Sequence, residues 1–206
     1  MGFIDKFILP RQVDFNAALQ AQAVETLGLV RHLHEAFIKN DKSALTAISS
    51  GAERARSLKQ GNMKELLDVF IAPYDKESIY RIITQLDWIG LSINHFRIEA
   101  QAYSVLSLHR YQSIFQLLME MGSRLEEGIA QLSSGRLKAI SDNTSLIHDQ
   151  YDRTVVMCAE SMANLLQQDD FKKIMVYRDL LAQLKEIARR IHITANTLED
   201  MMIKAQ

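Results

Sequence analysis

Proline is scarce in this chain: two occur in 206 residues, beside eight glycines and one cysteine. So few breakers exclude an all-β fold, and the Asn-Gly and Asp-Gly hairpin signals are missing as well. No stretch alternates apolar and polar residues for long. The single cysteine, Cys158, excludes an intrachain disulfide, and its place in an apolar stripe marks it as a buried structural thiol. An excess of one charge is also lacking. The formal net charge is −1, without the basic surplus of a nucleic-acid binder, so no nucleic-acid partner is expected. No window approaches the roughly 18 uncharged apolar residues of a membrane span. The opening MGFIDKFILPRQ carries Asp5 and Lys6 and lacks the apolar core and cleavage site of a secretory signal. A soluble, cytoplasmic protein is expected.

What remains is helix. Apolar residues recur at helical spacing in six segments, of about 14–39, 42–70, 75–106, 109–132, 136–166 and 170–204. The joint FIAPYDKES at 70–78 is the sharpest boundary. Phe70 and Ile71 close one amphipathic segment, Pro73 cannot continue it, and Asp75 can cap the next. Ile79, Ile82, Ile83, Leu86, Ile89 and Ile93 then follow on one face. Asn40-Asp41, Ser133-Ser134-Gly135 and the polar run before Asp170 mark further turns. Gly51 and Gly61 are expected weak points within the second segment. Segments of about 25–30 residues make rods of about 40–45 Å, and short connections force them to pack antiparallel. The expected architecture is all-α: one domain, 1–206, of six long antiparallel helices in two three-helix bundles, about 1–106 and 107–206. An offset of roughly 98 residues lays Ile83 over Leu181 and Ile93 over Ile191, a faint internal repeat.

Three stretches carry a family likeness. FIDKFILPRQVDF places a short aromatic segment and a proline before a Phe. FIAPYD leads into ESIYRIITQLDWI. LLAQLKEIARRIHITANTLEDMMIK closes the chain with alanine, asparagine and Leu-Glu before an apolar tail and a lysine. In this order they resemble the PhoU-like phosphate transport regulators associated with Pit-type phosphate permeases. The resemblance implies two three-helix bundles and a role in controlling phosphate uptake. The implied partner is the cytoplasmic face of the permease, to which the protein would be peripheral at the inner membrane. A homodimer through a leftover apolar helix face is a second expected partner.

The family also carries acidic pairs four residues apart that hold multinuclear metal clusters. A one-turn spacing sets both carboxylates on one helix face. By resemblance, these positions fall at Ala52 and Arg56, at Asp87 and Leu91, at His148 and Asp152, and at Lys185 and Arg189. Only Asp87, His148 and Asp152 could still ligate a metal, and cations stand at Arg56, Lys185 and Arg189. Salt bridges are therefore expected in place of the clusters: Arg56 with Asp87, and Lys185 and Arg189 with Asp152. No cofactor is expected. The competing expectation is residual iron, zinc or nickel at Asp87, His148 and Asp152, in a metal-binding protein or a metal-dependent phosphohydrolase. Trp88, at the family's second Asp of Leu-Asp-Asp, is expected to fill that polar site with apolar bulk.

Other chemistry is missing. No glutamate has a histidine three residues later, which excludes a ferritin-like di-iron site. There is no P-loop, Gly-x-Gly-x-x-Gly, His-Glu-x-x-His or Gly-x-Ser-x-Gly. His32 and His34 diverge on a helix and read as rim residues, and Arg189-Arg190 reads as solvated surface. A non-enzymatic helical regulator is the reading that remains.

Overall fold

Aspartates start four of the helices. Asp14, Asp41, Asp75 and Asp170 each accept a hydrogen bond from a backbone N–H of the following first turn, at Ala17, Ser43, Ser78 and Lys173. Such caps satisfy donors that the helix itself leaves free. The structure is a computed structural model and describes residues 13–205, so the FIDKFILPRQ part of the opening lies outside the described residues. The helices are α1 (Phe15–Phe37), α2 (Lys42–Asp68), α3 (Lys76–Ala102), α4 (Gln112–Ala130), α5 (Leu137–Leu165) and α6 (Phe171–Lys204). Short 3₁₀ turns flank α4 at His109–Tyr111 and Gln131–Ser134.

The stripes expected from the sequence are the ones buried. Phe15, Leu19, Ala23, Leu27, Val30, Leu33 and Phe37 of α1 are all in the core, as are Leu181, Leu184, Ala188, Ile191, Ala195, Leu198 and Met202 of α6. Each large aliphatic side chain so buried contributes about 1.5–3 kcal/mol. α1, α2 and α3 pack on one another, and so do α4, α5 and α6, giving the two three-helix bundles. α1 packs on α4 and α3 on α6, so the bundles lie side by side and share one apolar core. Phe37, Phe96 and Phe115, from α1, α3 and α4, meet at 5.3–6.5 Å between ring centroids where the halves join.

One local expectation is corrected. α2 ends at Asp68, and Phe70 and Ile71 do not close its apolar face: they stand 85% and 70% exposed at the joint. α2 also runs unbroken through Gly51 and Gly61. Gly51 is buried where α2 crosses α1, and a Cβ there would meet Leu29 Cδ2 at 2.6 Å. The glycine there permits a close approach of the helices.

Candidate functional site

Ala52, Arg56, Asp87 and Leu91, far apart in sequence, line one groove between α2 and α3 together with Ser49 and Asn94. The groove is about 100 Å³, well below the roughly 300 Å³ of a small-molecule pocket. Asp87 is buried at its floor, and its Oδ2 accepts from Lys59 Nζ at 2.8 Å. An ion pair does join α2 to α3 at Asp87, but its cation is Lys59, one turn beyond Arg56. Arg56 lies at the exposed rim. Both long side chains lie on the same face of α2, and the one nearer the carboxylate takes it. Ala52 and Leu91 are apolar walls.

In the second half the expected ion pairs do not form. Arg189 is bound by Glu186 of its own helix, with Nε at 2.7 Å and Nη2 at 2.9 Å from the two carboxylate oxygens. This fork from Arg189 holds the Glu186 carboxyl below the usual carboxylate range. Arg190 Nε joins it at 2.6 Å. Asp152 and Lys185 are exposed, and neither makes an ion pair within 4.0 Å among the described residues. The partner of His148 is instead His192 of α6, whose Nε2 lies 2.7 Å from His148 Nδ1. Burial, with the charge of His148 second, holds the His192 pKa below 6.5, and the field of Asp152 opposes the shift. His192 is the residue that sequence reasoning missed. Forty-four positions separate it from His148, and no spacing rule joins two helices across such a gap.

Asp87, His148 and Asp152 therefore do not form one set: Asp87 faces Lys59 on α2 and His148 faces His192 on α6. Among the described residues no group of three His, Cys, Asp or Glu side chains stands together. A multinuclear cluster needs several converging carboxylates. The first-half positions offer Asp87 alone, already paired, and the second-half positions offer His148, paired with His192, and one exposed carboxylate, Asp152, beside a lysine and an arginine. The donor set does not fit such a cluster.

Trp88 fills no polar site either. It is 45% exposed on the α3–α6 seam, where the Arg190 guanidinium lies over its ring at 4.7 Å. The contact is a cation–π bridge between the two halves. Arg81 and Asp200 add a second tie there at 3.4 Å. Cys158 is buried as expected, and burial pushes its thiol up to about 11.

No family model matches the chain. A crystal structure of a PhoU-like protein from Shewanella oneidensis MR-1 superposes with a TM-score of 0.77 at 14% identity, covering 92% of this chain and 99% of that one. A second, described as a PhoU-like phosphate regulatory protein from the same organism, gives 0.75 at 15% identity with the same coverage. The fold is PhoU-like. In sequence, the UPF0111 protein YkaA of Bacillus subtilis is 28% identical over 144 residues, 69% of this chain and 70% of YkaA. The resemblance read from the three sequence stretches and the PhoU-like fold thus agree. No helix among the described residues is long and apolar enough to cross a membrane.

Proposed function

We propose that this chain is a non-enzymatic, PhoU-like regulator or accessory protein of phosphate transport. It acts by protein contacts at the cytoplasmic face of a Pit-type permease, with the metal sites of the family largely lost. One observation carries the reading: the PhoU-like fold accounts for nearly the full length of both this chain and the solved phosphate-regulatory neighbour. The groove chemistry supports the second part, because Lys59 already neutralises the one carboxylate left at the first cluster position.

Two measurements test it in the source cells. A tagged full-length chain is captured from detergent-solubilised membranes at high and at low phosphate, and phosphate uptake is followed with and without the gene. The permease should be enriched with the tag, and uptake should change when the gene is removed. Unchanged uptake together with no enrichment of the permease defeats the reading. So does turnover of a phosphate monoester by the purified protein that is lost in Asp87→Asn or His148→Ala.

A further inference from the structure

We propose that the outer face of α3 is a self-association surface, on which a second copy of this chain docks across a two-fold axis with the two α3 helices antiparallel. The inference is independent of any role in phosphate transport. It rests on what the exposed positions of one helix carry, and on their spacing.

From Ser78 to the end of α3, no exposed position bears a formal charge. Trp88, Leu91 and Ile98 stand there 45%, 37% and 47% exposed, with His95 between them. The other helices present an ordinary solvated surface. Exposed positions of α2 include Glu53, Arg56 and Lys64, and those of α5 include Asp149, Asp152 and Glu160. The fold itself does not call for this apolar face. α3 already buries Ile79, Ile82, Ile83, Leu86, Ile89 and Ile93 on its inner side.

The spacing of the outer stripe says what kind of surface would cover it. Thr84, Trp88, Leu91, His95, Ile98 and Ala102 follow one another at alternating steps of four and three. That is the 3.5-residue period of a seam into which another helix packs. Charge then selects the second copy. A two-fold contact sets the same patch of both chains face to face, so a row of exposed charge would meet its own sign. This face has none. Arg190, beside Trp88, is held by Glu186 and is not free to bind an acidic partner or an anionic lipid. An antiparallel pairing centred between positions 91 and 95 sets Leu91 against His95 of the second copy and Trp88 against Ile98. The largest ring thereby meets a branched aliphatic side chain, and Thr84 meets the small Ala102. The run from Trp88 to Ala102 is about 21 Å of helix. Two heptads fall short of the three or four of a self-standing coiled coil, so the dimer belongs to the weak, concentration-dependent class.

Sedimentation equilibrium of the full-length protein, from low micromolar to several hundred micromolar, tests this. The mass should rise from one chain to two, and the emission of Trp88 should shift to the blue as its ring loses water. Leu91→Glu and Ile98→Glu should each raise the dissociation constant at least ~10-fold, since each sets an unpaired carboxylate in the seam. Val156→Glu, at a position still more exposed on α5, should leave it unchanged. His95→Lys should also weaken association. An equal mixture of Leu91→Glu and His95→Lys chains should regain it, because only this register brings the two new charges together. All these positions are exposed, and circular dichroism checks that each variant keeps its helices. A dimer indifferent to both glutamate variants overturns the proposal, as does a mixture that stays monomeric. A wild type that is monomeric throughout also overturns it and leaves the stripe to a helix of another protein.

Discussion

Lys59 and Asp87 meet between α2 and α3 from very different surroundings, with side chains 31% and 8% exposed. The carboxylate has given up most of its water, and the ammonium is its principal compensation. Lys59→Ala should therefore destabilise the protein by about 3 kcal/mol, because it leaves a buried charge unpaired. The joint replacement Lys59→Met with Asp87→Leu should cost far less, since two apolar groups need no desolvation. Urea unfolding of both variants checks this, and equal losses would show that the pair does not hold the groove together. Cys158 gives a pH signature at the same scale. Burial raises its thiol from 9.0 to about 11, so the native state keeps a proton that the unfolded chain loses. Stability must then fall as pH rises through this window, by up to about 1.4 kcal/mol per pH unit from this group. Cys158→Ala should flatten the slope relative to wild type, and parallel slopes would place the thiol in water. The groove was legible through the family resemblance, which placed Ala52, Arg56, Asp87 and Leu91 at its paired positions. The sequence could not choose between Arg56 and Lys59, since both reach from one face, and it could not pair His148 with His192.

Helices were legible where their ends are written in residue types with fixed backbone demands. Pro73 with Asp75 and the aspartate at 170 mark real starts. The end of α3 is different. The helix stops at Ala102, four residues before the expected end, and Ser104 takes the left-handed conformation with φ 58°. Val105 N–H donates to Ala100 O at 2.8 Å and Ser104 N–H to Gln101 O at 3.0 Å, the closing pattern that usually carries a glycine. With serine in that place no glycine announces the stop. Leu108 N–H, bonded to Phe37 O at 2.8 Å, then ties the connector to the end of α1, a tertiary contact invisible in local sequence. The two glycines of α2 invite a paired prediction. Gly61 has open space around a built Cβ, so Gly61→Ala should stabilise by about 1 kcal/mol, a rise of roughly 2–4 °C in Tm. At Gly51 the same change drives a methyl into buried Leu29, and an overpacking cost of about 1–3 kcal/mol exceeds the propensity gain. Thermal melts should move in opposite directions. A shared direction would mean that α1 and α2 are free to part at Gly51.

The whole molecule is two bundles that cannot be separated without exposing a common core. Phe37 and Phe96 come from the first half, yet their third ring, Phe115, belongs to the second. α1 on α4 and α3 on α6 bury apolar surface that neither half can cover alone, so the two bundles share one core across the joint near residue 106. Trp88, the one tryptophan of the chain, sits on this boundary beneath Arg190 of the other half. Its fluorescence reports the docking of the halves, whereas far-UV circular dichroism reports helix anywhere. In urea the two signals should follow one coincident transition, because losing the α3–α6 seam exposes the core on which every helix depends. Trp88→Phe should keep the dichroism transition while removing part of the cation–π tie, at a cost of about 0.5–1 kcal/mol at this half-exposed site. A fluorescence change that runs ahead of helix loss would instead reveal bundles that undock first and melt later. Each half would then carry its own stability, and α3 and α6 would form a hinge through which a bound partner could act.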